Sequence, residues 1–555
     1  MGNKIFAALG LSDLKSYLLK YFLPIVLMDF FVLFIFVFAF QSTLLRLLGV
    51  FIFFSVLAVV FLYPMMLIDN QSKAIEESIH YFITYAGALS TVNLDRKDFF
   101  ADLSEKNRYK EISNVFKRLI YLVESIKVDF STASYKLASI IKTEHFSRFL
   151  ERMGITLSFG SDISKFFVDE QKVLMDAYSI VYKEGLERIR VVQEMFTSLI
   201  LAFAFVLATI LLIPFLSGSD PSLYLLFGLV GVIMLDSVLL VFANYFIPTD
   251  NLYHKMGLDE GRQKVLLFLL ISITVSILIM PFILFTGLPA IVKIAIICTP
   301  LLLVGIYSNM QEKQVWKRDS LFPAFVRSLG DVHQAKGGTL TTTIETLLPH
   351  NFGILNPMIE KVFKRLKITS DKLSSWYYFT RESGSYLIAE FMDIFVSVVY
   401  RGGSSLVAGR IVSDNMTRIN GLRDMKKEFS STLKGAIYGS FFGLALTLYI
   451  SLLISVLLLR IFTSLTGDVD ASSLALVGDI FPTPSTDTAP TDTANTFIAF
   501  ILAVHAFFSA YIIKKVDGGN PMSMFSDVVY LLWFGVAIET VTTFLFEAMF
   551  SSYFG

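Results

Sequence analysis

Nine apolar runs, each about as long as a bilayer is thick, constrain this chain more than any other feature of its sequence. A helix needs about 20 apolar residues to cross the hydrocarbon core, and a chain that is 54% apolar and 17% charged is too apolar for an ordinary soluble protein. We therefore predict an all-α polytopic membrane protein with about nine transmembrane helices. The runs are Phe22–Phe40, Leu44–Ile68, Leu199–Leu216, Leu223–Ile247, Val265–Phe285, Leu288–Tyr307, Ala436–Phe462, Thr496–Ile513 and Phe525–Phe546.

The distribution of Lys and Arg between these runs predicts the orientation of the chain. Positive charge is retained on the cytoplasmic side of membrane proteins. Connections without Lys or Arg should therefore face outward, and this orientation places the amino terminus in the cytoplasm and the carboxyl terminus outside. The connections that lack both residues are Gln41–Thr43, Ser217–Ser222, Thr286–Gly287, Thr463–Asn495 and Glu547–Gly555.

Two long polar segments resemble each other and predict a duplicated module. The matches occur in one order at nearly constant spacing, as expected of an internal repeat. Apolar residues recur at helical intervals, without the alternation of a strand. The matching stretches are Phe82–Gly87 with Phe325–Gly330, Val115–Leu119 with Val362–Leu366, and Gly160-Ser161 with Gly403-Ser404.

These features divide the chain into five parts. An interfacial helix and a transmembrane hairpin occupy residues 1–68, module one 69–196, transmembrane helices three to six 197–306, module two 307–434, and the last three helices with an outer loop at 463–495 occupy 435–555. Module one should hold about six helices, the last of which continues into the third transmembrane helix. Breaks are expected near Asn93, Gly154 and Gly160. In module two we expect a helix that begins at Pro323, and turns at Gly337, Gly338, Gly402 and Gly403.

Charge distinguishes the two modules. Module one has 18 Lys and Arg against 19 Asp and Glu, whereas module two has 18 against 12, an excess of six positive charges. Such an excess can attract anionic lipid, fix the topology or meet an acidic protein partner. The candidate partner-binding residues are Lys364, Arg365, Arg401, Arg423, Lys426 and Lys427, with Lys117 and Arg118 in module one.

No sequence motif predicts catalysis, a cofactor or a metal site. The sequence contains neither a Gly-x-x-x-x-Gly-Lys-Ser/Thr phosphate loop nor a His-Glu-x-x-His pair, and its six histidines are scattered. A lone cysteine, Cys298, excludes an internal disulfide and a cluster of cysteine ligands. We therefore expect a protein that is not an enzyme and that binds no cofactor and no nucleic acid.

Four ionisable residues lie at or near hydrocarbon depth, where a charge is costly and normally faces a partner or a cavity. They are Asp29, Asp236, Lys293 and Glu539. One interpretation is an ion or proton path, as in an ion-coupled transporter. The other is that these groups hold helices together. We favour the second, because the sequence shows no matching pair of Gly- or Pro-broken spans of the kind that transporters have.

Module two resembles the F domain of type II secretion systems, which type IV pilus platforms share. The resemblance rests on the Pro-x-Phe-hydrophobic-Arg-x-Leu pattern in Phe322–Gly330, the glycine turn in Lys336–Leu340, and the pair Thr343-Ile344. Module one keeps Phe82 and Gly87 of this pattern. In length and paired hairpins the chain is most similar to the platform proteins of the archaellum, the archaeal flagellum.

This resemblance implies a membrane platform that docks a cytoplasmic hexameric motor ATPase and supports the assembly and rotation of a filament of pilin-like subunits. A platform beneath a filament also implies a closed homo-oligomer, most simply a dimer. The platform of an adhesive pilus or secretion system is an alternative. A scaffold that binds no ATPase and an ion-coupled transporter are alternatives from other classes.

Overall fold

The computed structural model describes residues 74–217, 222–247, 250–254, 260–467 and 489–550. Within these ranges every regular element is a helix, apart from an isolated antiparallel bridge between Tyr253 and Ser385. The all-α prediction is therefore confirmed. The predicted interfacial helix, the first transmembrane hairpin with Asp29, and residues 468–488 of the outer loop lie outside the described residues.

The chain forms two compact units, Met1–Tyr178 and Ser179–Gly555. The division falls inside α6, which continues without a break from module one into the third predicted transmembrane run, as the sequence predicts. A 3-10 turn at Asn107–Tyr109 precedes α3. The helices of this part are α1 (74–89), α2 (Arg96–Glu105), α3 (Lys110–Glu124), α4 (Phe130–Ala138), α5 (Glu144–Ser158) and α6 (Ile163–Ser217).

Phenylalanine rings form the centre of module one. Phe82 and Phe116 are fully buried with ring centroids 5.1 Å apart, and the Phe100 ring stacks on Phe116 at 6.0 Å. The predicted break at Gly154 is wrong, because this residue lies inside α5. A Cβ there would lie 3.2 Å from the Tyr135 ring, so glycine permits α4 to pack closely on α5.

The second unit holds eleven further described helices. Two 3-10 turns, Gly353–Leu355 and Pro521–Ser523, precede α12 and α17. The helices are α7 (Ser222–Phe246), α8 (Glu260–Leu284), α9 (Ala290–Cys298), α10 (Leu301–Lys336), α11 (Leu340–Leu347), α12 (Asn356–Ile368), α13 (Lys372–Ser383), α14 (Tyr386–Tyr400), α15 (Ser405–Gly467), α16 (Ala489–Asp517) and α17 (Met524–Met549).

Six of the described helices are long and apolar enough to cross a membrane, and the bent pair α9–α10 gives a seventh if it counts as one span. The chain is therefore a multi-pass membrane protein by the length and composition of its helices. The first two predicted runs lie outside the described residues, so the count of nine stays a prediction. An apolar core joins α6, α7, α9, α15, α16 and α17 within the second unit.

The sixth predicted run is broken rather than straight. Helix α9 ends at Cys298, α10 begins at Leu301, and the two are inclined by 47°. Pro300 lies at the break, and its missing N–H together with its ring interrupts a helix. The Ser272 hydroxyl donates to the Pro300 carbonyl at 2.9 Å, and the Trp533 ring nitrogen donates to Thr299 Oγ1 at 3.1 Å. One Pro-broken span is thus present, although a matching second one is not seen among the described helices.

Module two does not begin a new helix at Pro323. Helix α10 runs unbroken from Leu301 to Lys336, with Pro323 in its interior. A proline at this place leaves the carbonyl of Asp319, four residues earlier, without its helical donor. The Asn420 side chain supplies that donor, because its Nδ2 lies 2.8 Å from the Asp319 carbonyl oxygen. This contact from α15 explains how the helix continues through the proline.

The same series of elements occurs in both modules. In module one α2, a 3-10 turn, α3, α4 and α5 lie between α1 and α6, and in module two α11, a 3-10 turn, α12, α13 and α14 lie between α10 and α15. A close helix contact recurs as well. A Cβ on Gly87 would lie 3.2 Å from the Phe167 carbonyl oxygen, and one on Gly330 would lie 2.5 Å from that of Ser405. The sequence repeat is therefore also a repeat of helices.

Candidate functional site

The structure separates the predicted partner-binding residues into exposed and buried ones. Arg423 and Lys426 are buried at 2% exposure each, so neither side chain is available to a docking protein. This corrects their assignment as surface contacts. Arg365 is half-buried. The exposed candidates are Lys364, Arg401 and Lys427 in module two and Lys117 and Arg118 in module one.

The predicted turns are glycine turns in the structure. Gly337, Gly338 and Gly402 all have positive φ, at 67°, 85° and 81°, in the left-handed region that glycine enters without strain. Gly337 caps the end of α10, and Gly402 with Gly403 connects α14 to α15.

Arg423 is the centre of a buried cluster that the sequence did not reveal. Its guanidinium donates to Asp319 Oδ2 at 3.2 Å and to the Asn251 carbonyl at 2.9 Å, and it lies 5.7 Å from the Trp316 ring centroid. Asp319 is contributed by α10, Asn251 by the connection between α7 and α8, and Arg423 by α15. The charge of one side chain therefore joins three parts of the second unit.

Asp319 balances that charge within the protein interior. Its Oδ1 accepts a hydrogen bond from the Ser385 hydroxyl, which also caps the start of α14. Burial raises the pKa of Asp319 to about 6, although the nearby guanidinium of Arg423 acts in the opposite direction. Asp319 lies in the charged part of α10, beyond its apolar stretch.

Asp250 forms the second half of the cluster. Its Oδ2 accepts from Lys426 Nζ at 2.9 Å and from the Tyr182 hydroxyl at 2.6 Å. Burial alone would raise its pKa, but the charges of Lys426 and Arg423 and the hydrogen bond from Tyr182 bring the pKa below its usual value. We call Asp250, Asp319, Arg423 and Lys426 the buried charged joint.

The connection that carries Asp250 is fixed to module two by its backbone. The Tyr386 N–H donates to the Leu252 carbonyl at 2.9 Å, and the His254 N–H donates to the Gly384 carbonyl at 3.3 Å. His254 Nε2 also lies 2.8 Å from the Arg381 carbonyl oxygen. These hydrogen bonds hold the short connection between α7 and α8 against the start of α14.

A second buried charged cluster lies around Glu312 on α10. Its Oε2 accepts from Lys514 Nζ at 2.6 Å, and its Oε1 accepts from the Asn520 N–H at 2.7 Å and the Ser523 hydroxyl at 3.1 Å. Lys514 also meets Asp517 at 3.1 Å. These contacts connect α10 with the turn between α16 and α17.

A cavity of about 270 Å³ lies between the two clusters. Asp250 and Lys426 line one side, Lys514 and Lys515 line another, and the Gly518-Gly519 turn forms part of the wall. Gly518 and Gly519 have φ of 85° and 88°. The left-handed turn lets the chain pass close to both clusters.

The arrangement is suited to holding helices together. Among the residues that the structure describes, no group of three or more His, Cys, Asp or Glu could hold a metal ion. Each charge in the joint has an opposite charge beside it. Removing one partner of a buried ion pair leaves the other uncompensated, which typically costs about 3–5 kcal/mol.

Of the ionisable residues predicted at hydrocarbon depth, Asp236 has the clearest partner. It is fully buried, and both its oxygens lie 3.0 Å from His505 Nδ1. The His505 ring stacks on Phe441 at 5.9 Å, with the planes 6° apart. The contact links α7 to α16. The sequence patterns did not identify His505 as a partner of Asp236. Its position inside an apolar run is the feature that could have indicated a buried polar contact.

The other two described residues of this group have weaker contacts. Glu539 accepts from Asn495 Nδ2 at 3.5 Å between α17 and α16, and is itself 7% exposed. Lys293 Nζ reaches the Leu284 carbonyl at 3.4 Å, near the turn between α8 and α9. No carboxylate of the described residues forms an ion pair with Lys293.

An exposed surface on α12 and α13 combines basic and aromatic side chains. Tyr377 and Tyr378 are 46% and 47% exposed, and Leu373 is 55% exposed. Arg365 forms an ion pair with Glu382 and lies 5.2 Å from the Tyr378 ring, which places α12 beside α13. Lys364 is exposed on α12. We call Lys364, Arg365, Leu373, Tyr377 and Tyr378 the basic–aromatic surface.

Comparison with known proteins identifies two relatives that match along nearly the whole chain. The chain is 30% identical to "Flagella accessory protein J" of Methanocaldococcus jannaschii over 552 residues, which cover 95% of this chain and 94% of the relative. It is 28% identical to "Flagella accessory protein J" of Methanococcus voltae over 548 residues, 95% of each chain. No family model and no solved structure matches. The resemblance to the F domain thus stays a prediction.

Proposed function

The chain belongs to the family of flagella accessory protein J, and from this premise we propose that it is the integral-membrane platform of an archaellum. In this proposal the modules face the cytoplasm and module two docks a motor ATPase. The membrane helices support the filament while it is assembled and rotated. The observation that carries the proposal is the basic–aromatic surface on a module whose helices continue into the membrane.

The continuity of the helices favours a role in transmitting force. Helix α15 extends over 63 residues from module two into an apolar stretch, and α10 extends over 36 residues from the bent span into the module. The buried charged joint binds both helices at the level where the apolar stretches end. A displacement of module two should therefore be passed to the membrane helices rather than absorbed between them.

The chemistry of the basic–aromatic surface suits an acidic protein partner. Charges at such a surface speed the encounter and fix the register more than they add affinity. Tyr side chains that are exposed in the free protein become buried when a partner binds, and such residues dominate the binding energy of many interfaces. On α12 and α13 the positive charges would guide the ATPase to the surface. The contacts of the Tyr side chains would then keep it bound.

Binding of the purified motor ATPase of the same organism to the full chain in lipid nanodiscs tests this proposal. The variant Lys364→Glu with Tyr377→Ser should weaken the affinity roughly tenfold or more, because each lost contact at an anchor costs more than about 1 kcal/mol. Binding should also weaken as salt rises, since surface charges are screened beyond about 8–10 Å. Lys364 is preferred to Arg365, whose reversal would also break the pair with Glu382.

Module one offers a matched control. Lys117 and Tyr121 are both exposed on α3, the helix that corresponds to α12. The variant Lys117→Glu with Tyr121→Ser should change the affinity little. Equal losses from the two variants would show that the modules share the contact, and unchanged binding in both would remove the basic–aromatic surface from the interface.

A further inference from the structure

The cavity between the two charged clusters is lined mainly by positive side chains. Lys426, Lys514 and Lys515 face it, against the single lining carboxylate of Asp250. Glu312 and Asp517, which pair with Lys514, are not part of the lining. Asp250 neutralises Lys426, and Glu312 with Asp517 neutralises Lys514, so the positive charge that the wall offers to an anion is that of Lys515.

Of the three lysines that line the cavity, Lys515 is the one whose ammonium group is not paired with a carboxylate of the described residues. Lys426 is bound to Asp250 at 2.9 Å and Lys514 to Glu312 at 2.6 Å. Within the part of the chain that the structure describes, no carboxylate pairs with Lys515, whose side chain is half-buried. A half-buried ammonium beside two paired ones is screened less by water than a fully exposed lysine.

The position of the cavity fits a membrane ligand. It lies where α7 ends at Phe246 and α16 ends at Asp517, just before α17 begins. Polar residues resume there, so the lipid headgroups should be at this level. Ile247, Tyr511 and Pro521 give the cavity an apolar wall beside its lysines. Tyr in particular is common at the membrane–water boundary, with its ring in the apolar part.

The size of the cavity also exceeds what a few waters need. About 10–15 Å³ of such space holds one water, and this cavity offers about 270 Å³. Gly518 lies beside Lys426 in the wall, since a Cβ on Gly518 would be 3.8 Å from Lys426 Nζ, an ordinary contact distance. A phosphate with part of its attached alcohol would occupy the space and meet both walls.

We propose that this cavity binds the phosphate group of an anionic membrane lipid, with Lys515 as the outer contact and Lys426 and Lys514 as the inner wall. Basic pockets between membrane helices commonly receive such headgroups. The bound lipid would lie beside the Asp250–Lys426 pair. The lipid site would therefore be adjacent to the buried charged joint, independent of any docking of an ATPase.

The test uses the full chain in nanodiscs of phosphatidylcholine that contain a trace of spin-labelled phosphatidylglycerol or spin-labelled phosphatidylcholine. The immobilised fraction of each label reports contact with the protein. The wild-type chain should retain the anionic label preferentially. Lys515→Gln should lower that preference roughly fivefold, the effect of one lysine near a membrane surface. Its unfolding temperature should stay unchanged, because the side chain has no ion pair to lose.

Lys313→Gln provides the control, since Lys313 is exposed on α10 but does not line the cavity. It should leave the preference as in the wild type. Equal loss in both variants would indicate general surface attraction and overturn the site. Inorganic phosphate added to the nanodiscs should not displace the anionic label. Displacement at low phosphate concentration would assign the cavity to the free anion and overturn the lipid proposal.

Discussion

Arg423 and Asp319 are separated by 104 positions in the sequence, yet their side chains meet in the interior, with Nη1 and Oδ2 3.2 Å apart. Both are about 1–2% exposed. The pair connects the two long helices that lead from module two into the membrane. Its burial gives it consequences for stability that a surface pair would not have.

Replacement of Arg423 by Met should destabilise the protein strongly. The substitution leaves Asp319 without its cationic partner, and we expect a loss of about 3–5 kcal/mol in the free energy of unfolding. Thermal unfolding of the purified chain in detergent measures the effect. Lys427→Met is the matched control and should change little. Adding Asp319→Asn to Arg423→Met should recover part of the loss, and a further additive loss would contradict the pairing.

Asp319 should also give the stability a characteristic dependence on pH. Its pKa is raised from 3.8 to about 6 in the folded chain. Between these values the folded state binds more protons than the unfolded state, so this residue's stabilising contribution falls as pH rises from about 4 through 6. Asp319→Asn should remove that part of the slope in unfolding temperature. The pKa of Asp250 is lowered from its ordinary value of 3.8, so the stability that Asp250 contributes is lost only at a pH below this range. An unchanged slope in the variant would contradict the assignment.

The membrane pair Asp236–His505 distinguishes a packing role from an ion path. We expect Asp236→Asn to keep the hydrogen bond to His505 and to leave filament assembly intact, and we expect Glu539→Gln to do the same. Asp236→Leu should lower the unfolding temperature, because it leaves His505 without its partner. Motility and protein level in cells give the readout. Loss of motility in Asp236→Asn at normal protein level, with ion flux through wild-type proteoliposomes, would favour the transporter.

The orientation can be tested with single cysteines in a Cys298→Ser background. Lys364→Cys should react with a membrane-impermeant reagent only after lysis, because module two is predicted to face the cytoplasm. Ser485→Cys in the outer loop should react in intact cells. Reversal of the two results would invert the topology and place the basic–aromatic surface out of reach of a cytoplasmic ATPase.

Periodicity and composition were enough to predict the all-helical class and the turns at Gly337, Gly338 and Gly402, since those properties depend on neighbours along the chain, but the helix bounds at Gly154 and Pro323 were predicted wrongly. The buried charged joint was not predictable in this way. Lys426 and Asp250 are 176 positions apart, and a basic residue before an apolar run looks the same whether it is paired or exposed. Sequence patterns therefore assigned Arg423 and Lys426 to the surface.

Two prolines illustrate the same limit. Pro300 ends one helix and starts another, whereas Pro323 lies inside a continuous helix. At Pro323 the side chain of Asn420, which is distant in sequence, donates to the carbonyl that the proline leaves open. Local rules for helix breaking predict where a donor is lost but not whether another part of the chain replaces it.

The 63 residues of α15 correspond to an unbroken rod about 95 Å long at 1.5 Å per residue. The hydrogen-bonded backbone of this helix resists shortening and twisting, so both ends of the rod should rotate about its axis together. A few degrees of rotation imposed at Ser405 should reappear as the same rotation at the far end. The side chains at that end would sweep an arc around the axis, converting an angular input on one side of the membrane into lateral movement on the other.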